Sequence, residues 1–302
     1  MTFVDPDSEG ALEANTIRLF ESLGWQFANC YHEICGENPT LGRETTEQVV
    51  LEWKLKAALE KLNPDVPPLA LDLALDELTK DRSILSPVRA NQEVQEQLKD
   101  GIKVTFRTSD DNEAVETVKI IDWEHPANND FFLASQFWIS GEYGRKRADL
   151  VGFVNGIPLL FIELKASHKH LENAYNLNLS DYRSTIPQVF WYNGVIILSN
   201  GSKSRIGSIT AGWEHFADPI QYRERLFGAQ ADCLVIRDRR CTHPLHRIRF
   251  LSSWDHSELL SVAIDRRHHV PEFGSQPFGH SVDPLLNFQW LDVLGYVLRP
   301  VA

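Results

Sequence analysis

The sequence predicts an α/β fold in which a mixed β-sheet is flanked by helices and preceded by a mostly helical N-terminal part. Apolar side chains recur with the helical period through the first hundred residues, and the period changes to that of strands at Gly101. A helical segment then separates two later strands. The composition, with 43% hydrophobic and 24% charged residues, is typical of a globular protein.

Four segments of the N-terminal part carry apolar residues at helical spacing and end at residues that commonly follow helices. Gly24 follows the first segment, Pro64 comes just after the second, and Gly101 follows the last. The four expected helices are residues 11–23, 45–62, 67–80 and 89–99. The helical part therefore extends to about residue 100.

The segments after Gly101 alternate apolar and polar residues, or are apolar throughout, as strands do. A helix is expected between the later strands, although Pro187 should end or kink it. The expected strands are residues 102–107, 116–123, 131–139, the hairpin 147–165, residues 194–199 and residues 205–210, and the expected helix is residues 171–192.

Residues 219–302 differ in composition from residues 1–218, because they carry arginine but no lysine and show little apolar periodicity. We expect an atypical tail of uncertain fold there. The formal net charge of −12 argues against binding nucleic acid through bulk positive potential. The N-terminus is acidic, and no apolar run approaches the roughly 18 to 20 residues of a membrane span, so a cytoplasmic protein without membrane contact is expected.

Three charged residues, Asp149, Glu163 and Lys165, interrupt the apolar strands of the hairpin that turns at Asn155-Gly156. Burying an ionised group costs several kcal/mol unless it is paired or holds a metal. Alternation along a strand places Glu163 and Lys165 on the same face. The three charges indicate either a functional site or an ion pair on a solvated face of the sheet.

The register of this hairpin decides whether Asp149 joins the other two charges. A regular two-residue turn would pair Val154 with Ile157, which would set Asp149 opposite Ile162 and on the wrong face. One bulge or a three-residue loop would place Asp149 beside Glu163, and Gly152 is a suitable position for a bulge. The functional interpretation therefore predicts a register irregularity between residues 149 and 163.

Two carboxylates held close together repel each other and favour a hard divalent cation, with Mg²⁺ expected at a phosphate. The main-chain carbonyl of Leu164 would add a ligand. Such a cation polarises a phosphodiester and lowers the pKa of water, while Lys165 would orient the water or offset developing charge. The predicted reaction class is metal-assisted hydrolysis of a phosphodiester.

Asp149 followed by Glu163-Leu164-Lys165 is similar to the PD-(D/E)XK nuclease signature. Residues 1–218 resemble the N-terminal nuclease domain of type I restriction enzyme R (HsdR-type) subunits. The resemblance runs through the KLNP, IIDW and NNDFFLASQF segments, the hairpin, VIILSNG and RIGSITAGWEHF. It implies a restriction-endonuclease-like fold, with Asp149 and Glu163 as metal ligands and Lys165 as the catalytic lysine.

The resemblance also implies a DNA-positioning role for a Q-x-x-x-Y motif on the following helix. Tyr182 matches this motif, whereas Asn178 stands where glutamine is expected, and Ala148 replaces the usual proline before Asp149. Arg147 belongs to a short basic cluster beside the site, for which DNA positioning and an ordinary solvated turn are both open.

Three further expectations concern residues outside the hairpin. Glu13 would either reach the metal site or be an exposed helix carboxylate, and Gln136 would either line the cleft or point outward. Tryptophans are more often core residues than platforms for stacked bases, so we expect a core position for them. These tryptophans are Trp123, Trp138, Trp191 and Trp213.

The function that the resemblance implies is Mg²⁺-dependent cleavage of double-stranded DNA, within a complex with methyltransferase and specificity subunits. Such R subunits continue into an ATP-driven motor, but this chain has no G-x-x-x-x-G-K-[ST] loop. ATP would therefore act only through a motor absent from it. We expect a nuclease domain cut short by truncation or a frame change. The alternatives are a catalytically silent remnant or assembly module, and a stand-alone PD-(D/E)XK nuclease.

Overall fold

The computed structural model describes residues 8–107 and 110–218, and the expected tail at residues 219–302 lies outside them. The helices are α1 (Glu9–Ser22), α2 (Glu52–Leu62), α3 (Pro68–Thr79), α4 (Pro87–Asp100), α5 (Leu171–Asn173), α6 (Ser180–Thr185) and α7 (Gln188–Trp191), with a π-helical segment, Ala174–Leu179, between α5 and α6. The strands are β1 (Gln26–Asn29), β2 (Ile102–Arg107), β3 (Glu113–Val118), β4 (Phe131–Gly141), β5 (Gly144–Val154), β6 (Ile157–Leu164), β7 (Val195–Ser199) and β8 (Ser204–Gly207).

The main sheet of the described ranges has six strands in the order β1-β4-β5-β6-β7-β8. β1 is parallel to β4 and β6 is parallel to β7, while the other neighbouring pairs are antiparallel. β2 and β3 form a separate antiparallel pair that packs near α3. The predicted α/β class with a mixed sheet and flanking helices is confirmed.

Serine side chains cap the N-termini of α1 and α4. Ser8 precedes α1, and its hydroxyl accepts a hydrogen bond from the amide of Ala11 at 3.2 Å. Ser86 caps α4 in the same way, and Gly101 follows that helix with a φ of 79°. No helix in residues 8–107 or 110–218 is long and apolar enough to cross a membrane.

Several predicted boundaries are wrong. The helix expected from residue 45 begins only at Glu52, because Val49, Val50 and Leu51 enter the core in a non-helical segment. The N-terminal part also contributes β1 to the main sheet. The strand expected at residues 116–123 ends at Val118. The helix expected at residues 171–192 divides into α5, the π-helical segment, α6 and α7.

The β5–β6 hairpin has the predicted register irregularity. Asn155 and Gly156 form its turn with φ values of 52° and 79°, and Val154 pairs with Ile157. The register then shifts between Gly152 and Phe153, so that Leu150 pairs with Ile162. Continuation of this register by one residue sets Asp149 opposite Glu163, as the functional interpretation requires.

The turn of this hairpin also anchors α2. The amide of Leu51 donates a hydrogen bond to the carbonyl of Gly156 at 2.8 Å. A Cβ atom on Gly156 would lie 2.4 Å from the carbonyl oxygen of Leu51 and 2.9 Å from the amide nitrogen of Leu55. The hairpin that carries the charged residues is therefore held against the N-terminus of a helix by a contact that only glycine permits.

We expect Gly156→Ala to destabilise the protein by roughly 2 to 4 kcal/mol, because it adds a backbone clash to a positive φ. The matched control is Gly24→Ala, where φ is 88° but a Cβ would meet nothing within 4 Å. Urea unfolding of both variants measures the difference. Equal losses of stability would contradict a specific contact between the turn and α2.

Candidate active site

The structure brings Asp149, in the middle of one central strand, together with Glu163 and Lys165 at the end of the adjacent strand. Asp149 lies on β5 and Glu163 on β6, while Lys165 follows β6 directly. The amide of Leu164 donates a hydrogen bond to Oδ2 of Asp149 at 2.8 Å, which ties the carboxylate to the neighbouring strand. The bulge therefore converts three separated charges into one cluster.

Glu163 is the most deeply buried member of the cluster, with 1% of its surface exposed. Its Oε1 accepts hydrogen bonds from Nζ of Lys165 at 2.6 Å and from Nδ2 of Asn178 at 2.7 Å. Its Oε2 is buried and has no hydrogen-bond partner among the described residues. Burial, reinforced by the charge of Asp149, raises the pKa of Glu163 to about 7.

The other two members share this electrostatic coupling. Burial raises the pKa of Asp149, although the amide of Leu164 and the charge of Lys165 act in the opposite direction. Burial lowers the pKa of Lys165, but the carboxylates of Glu163 and Asp149 outweigh it and raise the net pKa above its usual range. Lys165 is therefore cationic at neutral pH and supplies the positive charge that the carboxylates require.

Helix α1 adds two carboxylates beside the cluster. Oε2 of Glu13 accepts a hydrogen bond from Nε2 of Gln136 at 2.6 Å, and burial followed by the charge of Asp149 raises the pKa of Glu13. The alternative of an exposed Glu13 is therefore wrong. Glu9 accepts a hydrogen bond from the amide of Ala166 at 3.2 Å, and its charge acts on Asp149 and Lys165. Sequence reasoning missed Glu9, although its spacing of four residues from Glu13 puts both on one face of α1.

Gln136 is half-buried and has a φ of 55° in the interior of β4. Positive φ is uncommon for residues other than glycine and persists only where the surroundings enforce it. The flanking pairs Ser135–Leu150 and Phe137–Ala148 set Gln136 at the level of Asp149. The side chain of Gln136 therefore links α1 to the cluster rather than pointing outward.

The π-helical segment between α5 and α6 positions Asn178 against Glu163. Widened helical turns of this kind occur frequently at functional sites. Tyr182, on α6, packs edge-on against Phe161 with ring centroids 5.4 Å apart, and its hydroxyl donates a hydrogen bond to the carbonyl of Arg147 at 3.2 Å. The side chain of Arg147 is exposed. All three residues expected to position DNA therefore lie around the cluster.

The cluster fits a magnesium ion better than a metal that needs a closed protein cage. Among the described residues, no group of three or more histidine, cysteine, aspartate or glutamate side chains is arranged to hold a metal ion. Mg²⁺ often takes only one or two carboxylates and fills its other positions with water or phosphate. Asp149 and Glu163 supply such a pair, and Oε2 of Glu163, which has no hydrogen-bond partner in residues 8–107 and 110–218, is an available oxygen ligand.

An open groove of about 490 Å³ lies beside the cluster, between the β4–β5 hairpin and the helical segments that follow Lys165. We call it the hairpin groove. Residues that line it include Trp138, Arg145, Arg147, Asn178, Asp181 and Tyr182. Asn178 and Tyr182 belong both to the groove and to the surroundings of Glu163, so the groove leads directly to the cluster.

Comparison with known proteins places the chain within a family. Residues 6–215 match the family model described as "Type I restriction enzyme R protein N terminus". The chain is 33% identical over 213 residues to the type I restriction enzyme HindI endonuclease subunit of Haemophilus influenzae, covering 69% of the chain and 20% of that protein. It is 30% identical over 181 residues to the putative type I restriction enzyme MjaIXP endonuclease subunit of Methanocaldococcus jannaschii, covering 58% of the chain and 17% of that protein.

The chain thus spans about a fifth of the length of these relatives. The mixed sheet, the hairpin and the helices around the charged cluster all lie within the matched residues. Because the family model covers more than half of the chain, the chain belongs to the family of type I restriction enzyme R protein N-terminal domains.

Proposed function

We propose that the described part of the chain is the nuclease domain of a type I restriction enzyme R subunit and hydrolyses phosphodiester bonds of double-stranded DNA with Mg²⁺. The observation that carries the proposal is the buried carboxylate of Glu163. It lies opposite Asp149, is paired with Lys165, and has one oxygen that accepts no hydrogen bond from any residue that the structure describes. An arrangement so costly to bury is expected where it serves chemistry.

In this proposal Asp149 and Glu163 hold the cation, with the main-chain carbonyl of Leu164 as a further ligand. Mg²⁺ supplies Lewis-acid polarisation of the phosphodiester and activation of water when it is bound. Lys165 orients the attacking water and offsets negative charge that develops on the phosphate. Asn178 holds the carboxylate of Glu163 in place through its 2.7 Å hydrogen bond.

The proposal extends to the assembly in which the domain works. The relatives are named endonuclease subunits of type I restriction enzymes. We therefore infer that methyltransferase and specificity subunits provide sequence recognition, and that ATP acts through a motor rather than through the described domain. The net charge of −12 supports this division, because most of the chain surface would repel DNA.

The direct test is nicking of supercoiled plasmid by the purified full chain with Mg²⁺ or Mn²⁺ and, separately, with EDTA. We expect open-circular product only with the metal, and none from an Asp149→Asn variant. Melting temperatures of both proteins confirm that they are folded. The absence of nicking by the folded wild-type chain with either metal would favour a silent assembly module.

Replacing Asn178 by alanine should lower the nicking rate about tenfold, because Oε1 of Glu163 loses one of its two hydrogen-bond donors. Asn178→Gln, which introduces the residue that the related motif carries, should retain more activity than the alanine variant. The matched control is Asn176→Ala, at an exposed position of the same π-helical segment. Equal rates for Asn178→Ala and the control would exclude a positioning role for Asn178.

A further inference from the structure

The hairpin groove carries cationic side chains beside the cluster. Arg145, Arg147 and Asp149 are alternate residues of β5, and alternate residues of a strand project to the same side. The positive charge of Arg147 partly opposes the rise in the pKa of Asp149 and of Glu13 that burial causes, so its guanidinium is within electrostatic reach of both carboxyl groups. The two arginines therefore form a short basic path that ends at the catalytic candidates.

Aromatic side chains hold these guanidinium groups in place. The guanidinium carbon of Arg145 lies 4.3 Å from the ring centroid of Trp138, and that of Arg147 lies 5.0 Å from Tyr31 and 5.4 Å from Trp138. The indole of Trp138 donates a hydrogen bond to the carbonyl of Tyr31 at 3.2 Å. A guanidinium stacked on a ring keeps its N–H groups directed outward in its own plane, where they match phosphate oxygens.

Trp138 therefore differs from the expectation of a core tryptophan. It is half-exposed and lies directly across from Arg147 in the pairing of β4 with β5. One of its faces is already covered by Arg145. This arrangement orients a cation and leaves little ring surface for a stacked base.

Lys146 has a different role, although it lies between the two arginines in the sequence. Its Nζ forms an ion pair with Oδ2 of Asp181 at 2.5 Å, which fastens the hairpin to α6. Neither Arg145 nor Arg147 has a carboxylate oxygen within 4.0 Å in the part of the chain that the structure describes. Among the described residues, the two arginines are thus oriented cations that form no direct ion pair with a carboxylate.

We propose that the hairpin groove binds the sugar-phosphate backbone of the DNA strand that is cut, with Arg145 and Arg147 contacting phosphates beside the scissile one. Trp138 and Tyr31 are positioning residues that hold the two guanidinium groups. A step of two residues along a strand is about 7 Å, which is of the order of the spacing between neighbouring phosphates of one DNA strand. The inference rests on the proposed nuclease function and adds that the contact with DNA is made to phosphates and is independent of sequence.

The test is binding of a fluorescently labelled 30-base-pair duplex to the full chain, measured by anisotropy over a range of salt concentrations. A Lys165→Ala background prevents turnover. We expect Arg145→Gln with Arg147→Gln to weaken binding at least tenfold and to reduce the slope of log affinity against log salt by about 2, since each lost phosphate contact changes it by about 0.9. Two duplexes of unrelated sequence should bind equally well.

The control carries the same change of charge at Arg89→Gln with Arg107→Gln, two exposed arginines outside the groove. It should bind as the background protein does. Trp138→Leu keeps both groove charges, so it should weaken binding about threefold with an unchanged salt slope. An Arg145→Lys, Arg147→Lys variant should bind between the wild-type groove and the glutamine variant, because charge remains but the planar stacking is lost.

Equal affinities and salt slopes for the groove variant and the control would overturn the proposal, as would a background protein that does not bind the duplex at low salt. These outcomes are separate from the failure of the nuclease function, which is measured by metal-dependent nicking with the wild-type chain. If the wild-type chain nicks plasmid but the groove variants bind the duplex normally, the nuclease function stands and the DNA is bound outside the hairpin groove.

Discussion

Replacing Lys165 by alanine is expected to slow plasmid nicking by about 10²- to 10⁴-fold while the protein stays folded. The Nζ atom of Lys165 is 2.6 Å from Oε1 of Glu163, and the neighbouring carboxylates raise the pKa of Lys165, so the side chain is charged at neutral pH. A charged, half-buried donor beside Glu163 would stabilise the negative charge that develops on the phosphate in the transition state. Its loss should therefore reduce the rate rather than the binding of DNA.

The comparison uses single-turnover nicking with protein in excess, so that the measured rate does not depend on product release. Lys169→Ala removes an exposed lysine four residues later and should nick at the wild-type rate. Lys165→Arg keeps the positive charge but replaces a compact ammonium group by a larger, planar guanidinium group, so we expect only partial activity. A Lys165→Ala rate within threefold of wild type would exclude a catalytic role for this lysine.

The sequence specified the hairpin well because its signals are local. Asn155-Gly156 favours a turn with positive φ at both residues, and the structure has that turn. The bulge at Gly152 was predictable because side chains alternate between the two faces of a sheet. Asp149 could lie on the same face as Glu163 and Lys165 only if the register shifted by one residue. The outline of the candidate site therefore followed from the spacing of Asp149, Glu163 and Lys165.

Other parts of the fold depend on contacts between distant residues. β1 has four residues, and it becomes a strand because it pairs with β4, more than a hundred positions later. Val49 to Leu51 belong to the segment 45–62, whose apolar pattern predicted a helix, but they enter the core before the helix begins, and the amide of Leu51 donates a hydrogen bond to the carbonyl of Gly156. The strand or helix propensity of a short segment does not show which distant residues it will contact.

The remaining parts of the site arise from backbone conformations that the sequence does not signal. Gln136 has the side chain of an ordinary strand residue, and only the packing around β4 sets its φ to 55°. The π-helical segment adjusts the position of Asn178 so that the asparagine reaches Glu163. Asn178 thus reaches Glu163 although its side chain is one methylene shorter than that of the expected glutamine.

In the absence of metal, we expect Glu163→Gln to be more stable than the wild-type protein at pH 8, by on the order of 2 to 3 kcal/mol. Burial, followed by the charge of Asp149, raises the pKa of Glu163 to about 7 in the folded state. The folded protein therefore holds this proton more tightly than the unfolded chain does. The contribution of Glu163 to stability is complete below its unfolded pKa and declines as the pH rises through about 7.

Urea unfolding of both proteins in EDTA at pH 5, 6, 7 and 8 measures this dependence. The free energies of unfolding of the two proteins should differ little at pH 5, separate mainly between pH 5 and pH 7, and differ by a nearly constant amount above pH 7. Glu172→Gln, at an exposed position on α5, is the matched control and should follow the wild-type protein throughout. If the difference in free energy of unfolding between the wild-type protein and Glu163→Gln is the same at every pH, Lys165 fully compensates the charge of the ionised carboxylate of Glu163.

The same instability at high pH should be removed by the cation that the site is proposed to hold. A ligand that binds only the folded state stabilises it in proportion to the logarithm of its concentration above the dissociation constant. Mg²⁺ should therefore stabilise the wild-type protein most at pH 8, above the pKa of about 7 of Glu163, and should stabilise Glu163→Gln much less. This readout is independent of DNA cleavage, so it tests the carboxylate pair as a metal site even if the isolated domain cuts slowly. If Mg²⁺ stabilises the wild-type protein and Glu163→Gln equally, the cation does not bind at Asp149 and Glu163.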